Sequence, residues 1–291
     1  MSVILSILLY LADIFTVYMF WGSIEFTVVA ACLIPVAVVI CMIISFLGIR
    51  PKSIKKLRKS DRAAVESALD ELKFSAEQLG ESLPKIHVFV NARNYVNAYA
   101  VGFNCVVVTM GLIKNYGHDN RVFASVLAHE MGHIKHHDTV FSGLVIVNLI
   151  VNSIVLTFSL FGVGIVIVLI FSLFMSVFFS DIITLYVSNA FGKVVGKIIG
   201  LLKTLIVAVL WAICAVIFRK QELLADRYAA KELGFAYELV YFLEDISAMD
   251  SVDRTFIETL MDTHPSTYTR IKKIEDSTFN NAGSDELSLL R

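Results

Sequence analysis

Two histidines and a glutamate near the middle of the chain have the spacing His129-Glu130-x-x-His133. On a helix, residues four apart lie on the same face, so both imidazoles can point toward one metal ion. Zinc accepts nitrogen ligands in tetrahedral geometry and keeps one position for water in catalytic sites. Glu130 projects about 100° further around the helix, where its carboxylate can take a proton from that water. The spacing therefore predicts two metal ligands and a general base on one helical turn.

The residues around this motif favour a buried helix over an exposed helix that carries the same residue types by chance. Apolar side chains recur at helical spacing, at Val122, Phe123, Val126, Leu127 and Ile134. Gly132 is expected to leave one flank of the site open, although glycine costs a helix roughly 1 kcal/mol. Two histidines do not complete a zinc site, so a third ligand is required.

A candidate third ligand follows the last apolar stretch of the chain. Glu222 and Asp226 stand one helical turn apart in Glu-Leu-Leu-Ala-Asp. Glu222 can complete a His, His, Glu zinc set, and Asp226 can hold a ligand histidine by accepting its second ring proton. The alternative is a solvated face on which these acids pair with neighbouring basic residues, Arg219, Lys220 and Arg227.

Ligands from within the motif region fit less well. His137 would lie about 12 Å from His129 along a helix, too far to share one ion. The metzincin pattern requires Gly at 136 and His at 139, where this chain has His136 and Thr139. Glu222 is therefore the best candidate for the third ligand.

Composition indicates a membrane protein. Of the 291 residues, 57% are hydrophobic and 18% are charged, against about 45–50% and about 25% in soluble domains. Mean hydropathy is +0.73, and the apolar residues are concentrated in blocks. A net charge of −1 gives no reason to expect a nucleic-acid partner, and the four cysteines form neither a disulfide framework nor a close C-x-x-C pair.

The N-terminal part, residues 1–49, is expected to form a transmembrane helical hairpin. Each of its two apolar runs is close in length to the about 20 residues that are needed to cross a bilayer. Six basic residues follow in 50–60, and the connector 21–25 has none. This asymmetry predicts that residue 50 lies on the cytoplasmic side, in a cell (inner) membrane with the catalytic domain facing the cytoplasm.

Residues 50–138 are expected to form the first catalytic part. Ser60 and Asp61 are expected to cap a helix over 61–79. Strand patterns at 84–90, 97–102 and 105–110 predict a short antiparallel sheet that leads into the metal helix. A sheet edge beside a catalytic zinc is a suitable place to bind an extended peptide.

Residues 139–218 are expected to form a membrane insert, and 219–291 the second catalytic part. The insert contains three apolar blocks, 139–158, 159–180 and 198–218. If His129 and Glu222 bind one ion, the chain between them must cross the bilayer an even number of times, so we expect two crossings plus one further apolar segment. We favour a partly embedded 139–158 helix feeding a crossing at 159–180. The rival arrangement has 139–158 crossing and 159–180 re-entrant.

Four motifs in this order resemble the HtpX branch of the membrane zinc peptidases, the group that also contains the CAAX prenyl endopeptidases. They are Asn-Ala-Tyr-Ala-Val-Gly at 97–102, His-Glu-Met-Gly-His at 129–133, Glu-Leu-Leu-Ala-Asp at 222–226, and His-Pro-Ser-Thr with Arg270-Ile271 at 264–271. The resemblance covers nearly the whole chain. HtpX-like chains usually have two apolar segments between the second histidine and the third ligand, so the three blocks are a departure that affects the topology more than the chemistry.

The resemblance implies a multi-pass α-helical membrane protein with an α+β gluzincin-type peptidase domain and one zinc ion per chain. It implies Glu222 as the third ligand, and Asn97, Ala98, Tyr99 and Ala100 within a peptide-binding edge. It also implies that His264 and Arg270 border the site, with His264 as a donor to the oxyanion.

The expected function is a zinc endopeptidase that hydrolyses misfolded or damaged membrane proteins at the cytoplasmic face; its expected partners are polypeptide substrates and the lipid bilayer. Stress-linked quality control is implied by the resemblance only. One alternative is CAAX-type processing, which requires a large chamber of seven or so spans that this chain lacks. Another is a non-catalytic membrane scaffold or transporter with a decayed motif, which the intact His129, Glu130, His133 and Glu222 argue against.

Overall fold

The computed structural model describes residues 52–249 and 264–278, with isolated helical positions between residues 7 and 43. The hairpin predicted over 1–49 therefore lies largely outside the described residues. The chain forms two compact units, Met1–Cys41 with Leu144–Cys214 and Met42–Gly143 with Ala215–Arg291.

The described part is mostly helical, with one small sheet. The helices are α1 (Lys59–Leu79), α2 (Met110–Tyr116), α3 (Asn120–Lys135), α4 (Asp138–Phe178), α5 (Asp181–Arg227), α6 (Ala236–Met249) and α7 (Thr267–Thr278). The strands are β1 (Lys52–Ser53), β2 (His87–Asn91), β3 (Ala98–Val101) and β4 (Cys105–Thr109).

The sheet has the strand order β1-β2-β4-β3, and it is mixed. β3 pairs with β4 in the antiparallel sense, as expected, but β2 pairs with β4 in parallel. The prediction of a wholly antiparallel sheet is therefore wrong. The reason lies in β4, whose Val106, Val107 and Val108 are all fully buried. A strand that is apolar on both faces is favoured at a central position, so β4 lies between its two neighbours and β3 becomes an edge.

The first helix begins before the predicted boundary. α1 starts at Lys59, its N-cap residue is Arg58, and no side chain caps its amides. The expected cap by Ser60 and Asp61 is wrong, because both residues already lie within the helix and bond to each other through their side chains.

The core of the second unit forms around α3. Asp119 caps α3 by accepting hydrogen bonds from the backbone N–H groups of Arg121 and Val122. Phe123 and Leu127 are fully buried among residues of α1, the sheet and α6. Because α3 is covered by these elements, its polar residues are held at fixed positions in low-dielectric surroundings.

Two long helices follow α3. α4 is continuous over 41 residues, and α5 over 47. The block 139–158 and residues 159–178 of the next block, separated in the sequence-based prediction, form one helix, α4, since no proline or charged residue interrupts them. Within the described residues, two helical segments, Leu149–Phe178 and Asp181–Glu232, are long and apolar enough to cross a membrane by length and composition.

A π-helical turn, Tyr228–Glu232, follows α5 directly. Lys135 of α3 holds this turn, since its Nζ lies 2.9 Å from Glu232 and 4.4 Å from the ring centroid of Tyr228. Gly234 then reverses the chain with a φ of 72°. The end of α5 is thereby fixed against α3.

Gly132 of α3 packs directly against Ala225 of α5. A Cβ atom at this position would lie 2.9 Å from Ala225 Cα and 3.2 Å from Ala225 Cβ. The expectation that Gly132 leaves a flank open is therefore wrong, because the missing side chain is what allows the two helices to touch.

We expect Gly132→Ala to destabilise the protein, because the added methyl group separates α3 from α5. Overpacking of this kind costs about 1–3 kcal/mol, which outweighs the about 1 kcal/mol gained from better helix propensity. Thermal unfolding of the purified protein measures the change. Gly162→Ala is the matched control, since a Cβ atom there meets nothing within 4 Å. Equal melting temperatures for the two variants would contradict the close-packing role.

Candidate metal centre

The predicted motif residues lie together on the buried side of α3. His129 and Glu130 are each 7% exposed. The rings of His129 and His133 are 4.9 Å apart between centroids, at an interplanar angle of 88°. The one-turn spacing thus brings the two imidazoles to the same place, as the sequence indicates.

Glu222 of α5 joins the two histidines. Its carboxylate oxygens lie 3.6 Å from His129 Nε2 and 3.4 Å from His133 Nε2. One donor atom from each of these residues lies within 4.8 Å of the others, so the three could hold a metal ion. The sequence-based grouping of His129, His133 and Glu222 is therefore present in the fold.

The donor set fits zinc in both spacing and type. Zinc bonds of about 2.0–2.1 Å in a tetrahedron separate neighbouring ligand atoms by about 3.3–3.4 Å. The distances from Glu222 to His129 and His133 are close to that value. Two imidazoles and one carboxylate leave a fourth position open, which is the arrangement of catalytic zinc sites.

The second ring nitrogen of each histidine faces a carboxylate. His129 Nδ1 lies 2.9 Å from Asp226 Oδ1, and His133 Nδ1 lies 3.4 Å from Asp138 Oδ2. A carboxylate that accepts the Nδ1 proton fixes the tautomer in which Nε2 is a free ligand. The role foreseen for Asp226 matches this geometry, whereas the contact of Asp138 was not predicted.

Arg270 of α7 forms a two-pronged ion pair with Asp226. Its Nε and a terminal nitrogen lie 2.8 Å and 2.6 Å from the two carboxylate oxygens. A second terminal nitrogen is 3.7 Å from Glu222. Burial alone would lower the pKa of Arg270, but Asp226, Glu222 and Glu130 outweigh burial, and the pKa lies above its usual value. Arg270 therefore remains charged and holds Asp226 in place.

Negative charge exceeds positive charge around His133. Burial would lower the pKa of His133, but Asp138, Glu222 and Glu130 raise it to about 10. A pocket that attracts a proton to a buried imidazole also favours a divalent cation, which neutralises the same carboxylates.

The edge strand β3 lies beside Glu130. The backbone N–H of Ala100 donates a 2.6 Å hydrogen bond to Glu130 Oε2. Backbone groups alternate between the two sides of a strand, so Ala98 and Ala100 both direct theirs away from β4. The edge of β3 that faces away from β4 thus lies next to Glu130, the candidate general base.

The other residues of the predicted substrate strand face different partners. Asn97 is exposed, and its backbone carbonyl accepts a hydrogen bond from Thr109 N at 3.0 Å. The Tyr99 hydroxyl accepts from Asn91 Nδ2 at 2.9 Å. Asn97 and Tyr99 are therefore held against the sheet, whereas the backbone groups of Ala98 and Ala100 point away from β4 and the side chain of Ala98 is buried.

His264 lies at the open side of the centre. Its side chain is 63% exposed, and its Nδ1 is 3.2 Å from Glu222 Oε2. The preceding residues 250–263 are outside the described part of the chain. The predicted proximity of His264 to the centre is present, and its role as an oxyanion donor stays a prediction.

Two contacts escaped sequence reasoning. The bond from Ala100 N to Glu130 depends on strand pairing, and no residue type marks it in advance. Asp138 approaches His133 just after a turn in which His137 has a φ of 59°. The sequence offered one signal for this second contact, an acidic residue directly after the metal helix.

Comparison with known proteins agrees with this geometry. A model of peptidase family M48 matches residues 59–278. The protease HtpX of Hahella chejuensis (strain KCTC 2396) is 32% identical over 103 residues, which are 34% of this chain and 33% of that protein. The crystal structure of S. mikatae Ste24p matches with a TM-score of 0.50 and 17% identity, covering 92% of this chain and 62% of Ste24p.

These matches support different conclusions about the chain. The region that matches HtpX covers only about a third of the length of that protein. The likeness to Ste24p concerns the fold alone. The resemblance inferred from the four motifs is confirmed as an HtpX-like M48 metallopeptidase. Because the family match runs from the first residue of α1 to the last of α7 and includes every candidate site residue, the chain belongs to peptidase family M48.

Proposed function

We propose that the protein is a membrane-embedded zinc endopeptidase that cleaves polypeptides at the cytoplasmic face. The observation that carries the proposal is the convergence of His129, His133 and Glu222 next to Glu130, with a strand edge alongside. A non-catalytic scaffold would need no general base between two metal ligands. It would also need no exposed strand edge beside that base.

His129, His133 and Glu222 would hold the zinc ion through two Nε2 atoms and a carboxylate. When bound, zinc supplies Lewis acidity to the scissile carbonyl and lowers the pKa of water. Glu130 accepts the proton of the attacking water and delivers it to the leaving amine. Asp226 orients His129, and Arg270 fixes Asp226. His264, at the open side, is placed to donate to the oxygen on which negative charge develops.

The substrate would bind as an extended strand along β3. Strand addition uses main-chain hydrogen bonds, so it accepts many sequences and requires a locally unfolded segment. This selectivity suits misfolded or damaged polypeptides, and the apolar helices α4 and α5 favour membrane proteins as their source. This preference for unfolded chain supports the quality-control role that the resemblance to HtpX-like peptidases implies.

Connectivity supports membrane embedding. The chain leaves the metal centre on α4 and returns to it on α5, so both candidate spans together give an even number of crossings. Residues 139–178 of α4 contain no Asp, Glu, Lys or Arg. A helix of this composition is more stable in a membrane than in water. The basic run at 50–60 supports a cytoplasmic location for the catalytic unit.

We expect Glu130→Gln to abolish cleavage while zinc stays bound, because the amide cannot accept the proton. Loss of a general base lowers turnover by about 10²–10⁴-fold. Glu222→Gln should instead lower the zinc content, since it removes a ligand. Metal analysis and cleavage of unfolded casein measure the two effects. Normal turnover by Glu130→Gln, or a wild-type protein that binds no zinc, would exclude the mechanism.

Ala100→Pro should lower kcat, because proline removes the N–H that holds the carboxylate of Glu130. Strand addition along β3 predicts that peptides N-methylated at single amides close to the cleaved bond are poor substrates. Peptides methylated far from that bond serve as the control. Equal cleavage of all methylated peptides would rule out strand addition.

Cysteine labelling tests the topology in a cysteine-free background. Ser180→Cys, in the two-residue link between α4 and α5, should react with an impermeant maleimide from outside the cell. Ser60→Cys, in the basic run, should react only after permeabilisation. Both residues are exposed, so accessibility within the protein does not limit the reaction. Labelling of both from the same side would contradict the two crossings.

A further inference from the structure

The backbone turns sharply between the metal helix and α4. α3 ends at Lys135, His136 follows as its cap, and α4 begins at Asp138. Between them, His137 has a φ of 59°, and it is the one non-glycine residue with positive φ in the described part of the chain. The His137 side chain is exposed, so its surroundings do not explain this conformation.

The turn brings Asp138 back to the metal helix. Asp138 is 7% exposed, and its Oδ2 lies 3.4 Å from His133 Nδ1. Across the described residues, no lysine or arginine lies within ion-pair distance of its carboxylate. The carboxylate also lies at the N-terminus of a long helix, where negative charge is favoured. Its charge is therefore stabilised by the helix and directed to one imidazole.

Two further residues of the same helical turn contact the site. Thr139 Oγ1 donates a hydrogen bond to the carbonyl of Gly102, in the turn between β3 and β4. Ser142 Oγ donates to Gln221 Oε1 at 2.8 Å, one residue before Glu222. The first turn of α4 thus contacts the turn that follows β3, the candidate substrate strand. It also contacts α5, the helix that carries Glu222.

We propose that Asp138 is a positioning residue for the zinc ligand His133, placed by the left-handed backbone of His137. This inference rests on the zinc site of the proposed function. Asp138 accepts a hydrogen bond from Nδ1–H of His133, which fixes the ring plane and leaves Nε2 facing Glu222. Because Asp138 is the first residue of α4, the affinity for zinc depends on where that helix begins.

Zinc affinity of the full-length protein tests the proposal. Asp138→Ala should weaken binding by about 10–100-fold, as for other partners of ligand histidines, measured by competition with a chromophoric chelator. Asp138→Asn should recover part of the loss, because its amide oxygen can still accept the proton. Asp181→Ala is the control, an exposed aspartate in the first turn of the other long helix, and its zinc affinity should be unchanged. The visible spectrum of the cobalt-substituted protein should shift with Asp138→Ala only.

The backbone of His137 is tested separately with two substitutions. Glycine adopts positive φ freely, whereas a β-branched side chain does so with difficulty. His137→Gly should therefore bind zinc like the wild type, and His137→Val should bind as weakly as Asp138→Ala. This pair also separates a backbone role from a ligand role of the His137 imidazole.

The outcomes distinguish this inference from the proposed function. A wild-type protein without zinc affinity would refute the metal site itself. Wild-type affinity in Asp138→Ala, or an Asn variant no better than Ala, would overturn the positioning role alone. Weak binding by His137→Gly, or tight binding by His137→Val, would overturn the part assigned to the backbone.

Discussion

The contact between Gly132 and Ala225 sets the geometry of the centre. Glu222 lies near His129 and His133 where α5 packs directly against α3. The absence of a Cβ atom at residue 132 makes this approach possible. The distances among the three donor atoms therefore depend on backbone packing, and the side chains need little adjustment to meet one ion.

Electrostatics adds a second constraint. The buried carboxylates of Glu130, Asp138, Glu222 and Asp226 surround two imidazoles, and Arg270 faces Asp226 and Glu222. Burial away from water makes unpaired charge costly. The negative charge of these carboxylates therefore favours the binding of a further positive charge. Burial would raise the pKa values of Glu222 and Asp226, but the histidines and Arg270 hold them below their usual range, which prepares the position of a divalent ion before the ion arrives.

Much of the site could be predicted from the sequence, because helical periodicity fixes which residues share a face. This reasoning placed His129 with His133, and Glu222 with Asp226. It failed where backbone geometry decides: the central position of β4 made the sheet mixed, and the positive φ of His137 brought Asp138 into contact. A helix can be inferred from spacing, whereas a turn or a strand order depends on packing between distant segments.

The long separation between the two halves of the centre has a consequence for biogenesis. His133 and Glu222 are joined through α4 and α5, so the ligand set stays incomplete until the ribosome has released both helices and they have paired. Closing so long a loop carries an entropic cost that the helix hairpin reduces by bringing its ends together. A chain whose two long helices have not yet paired therefore lacks the assembled centre.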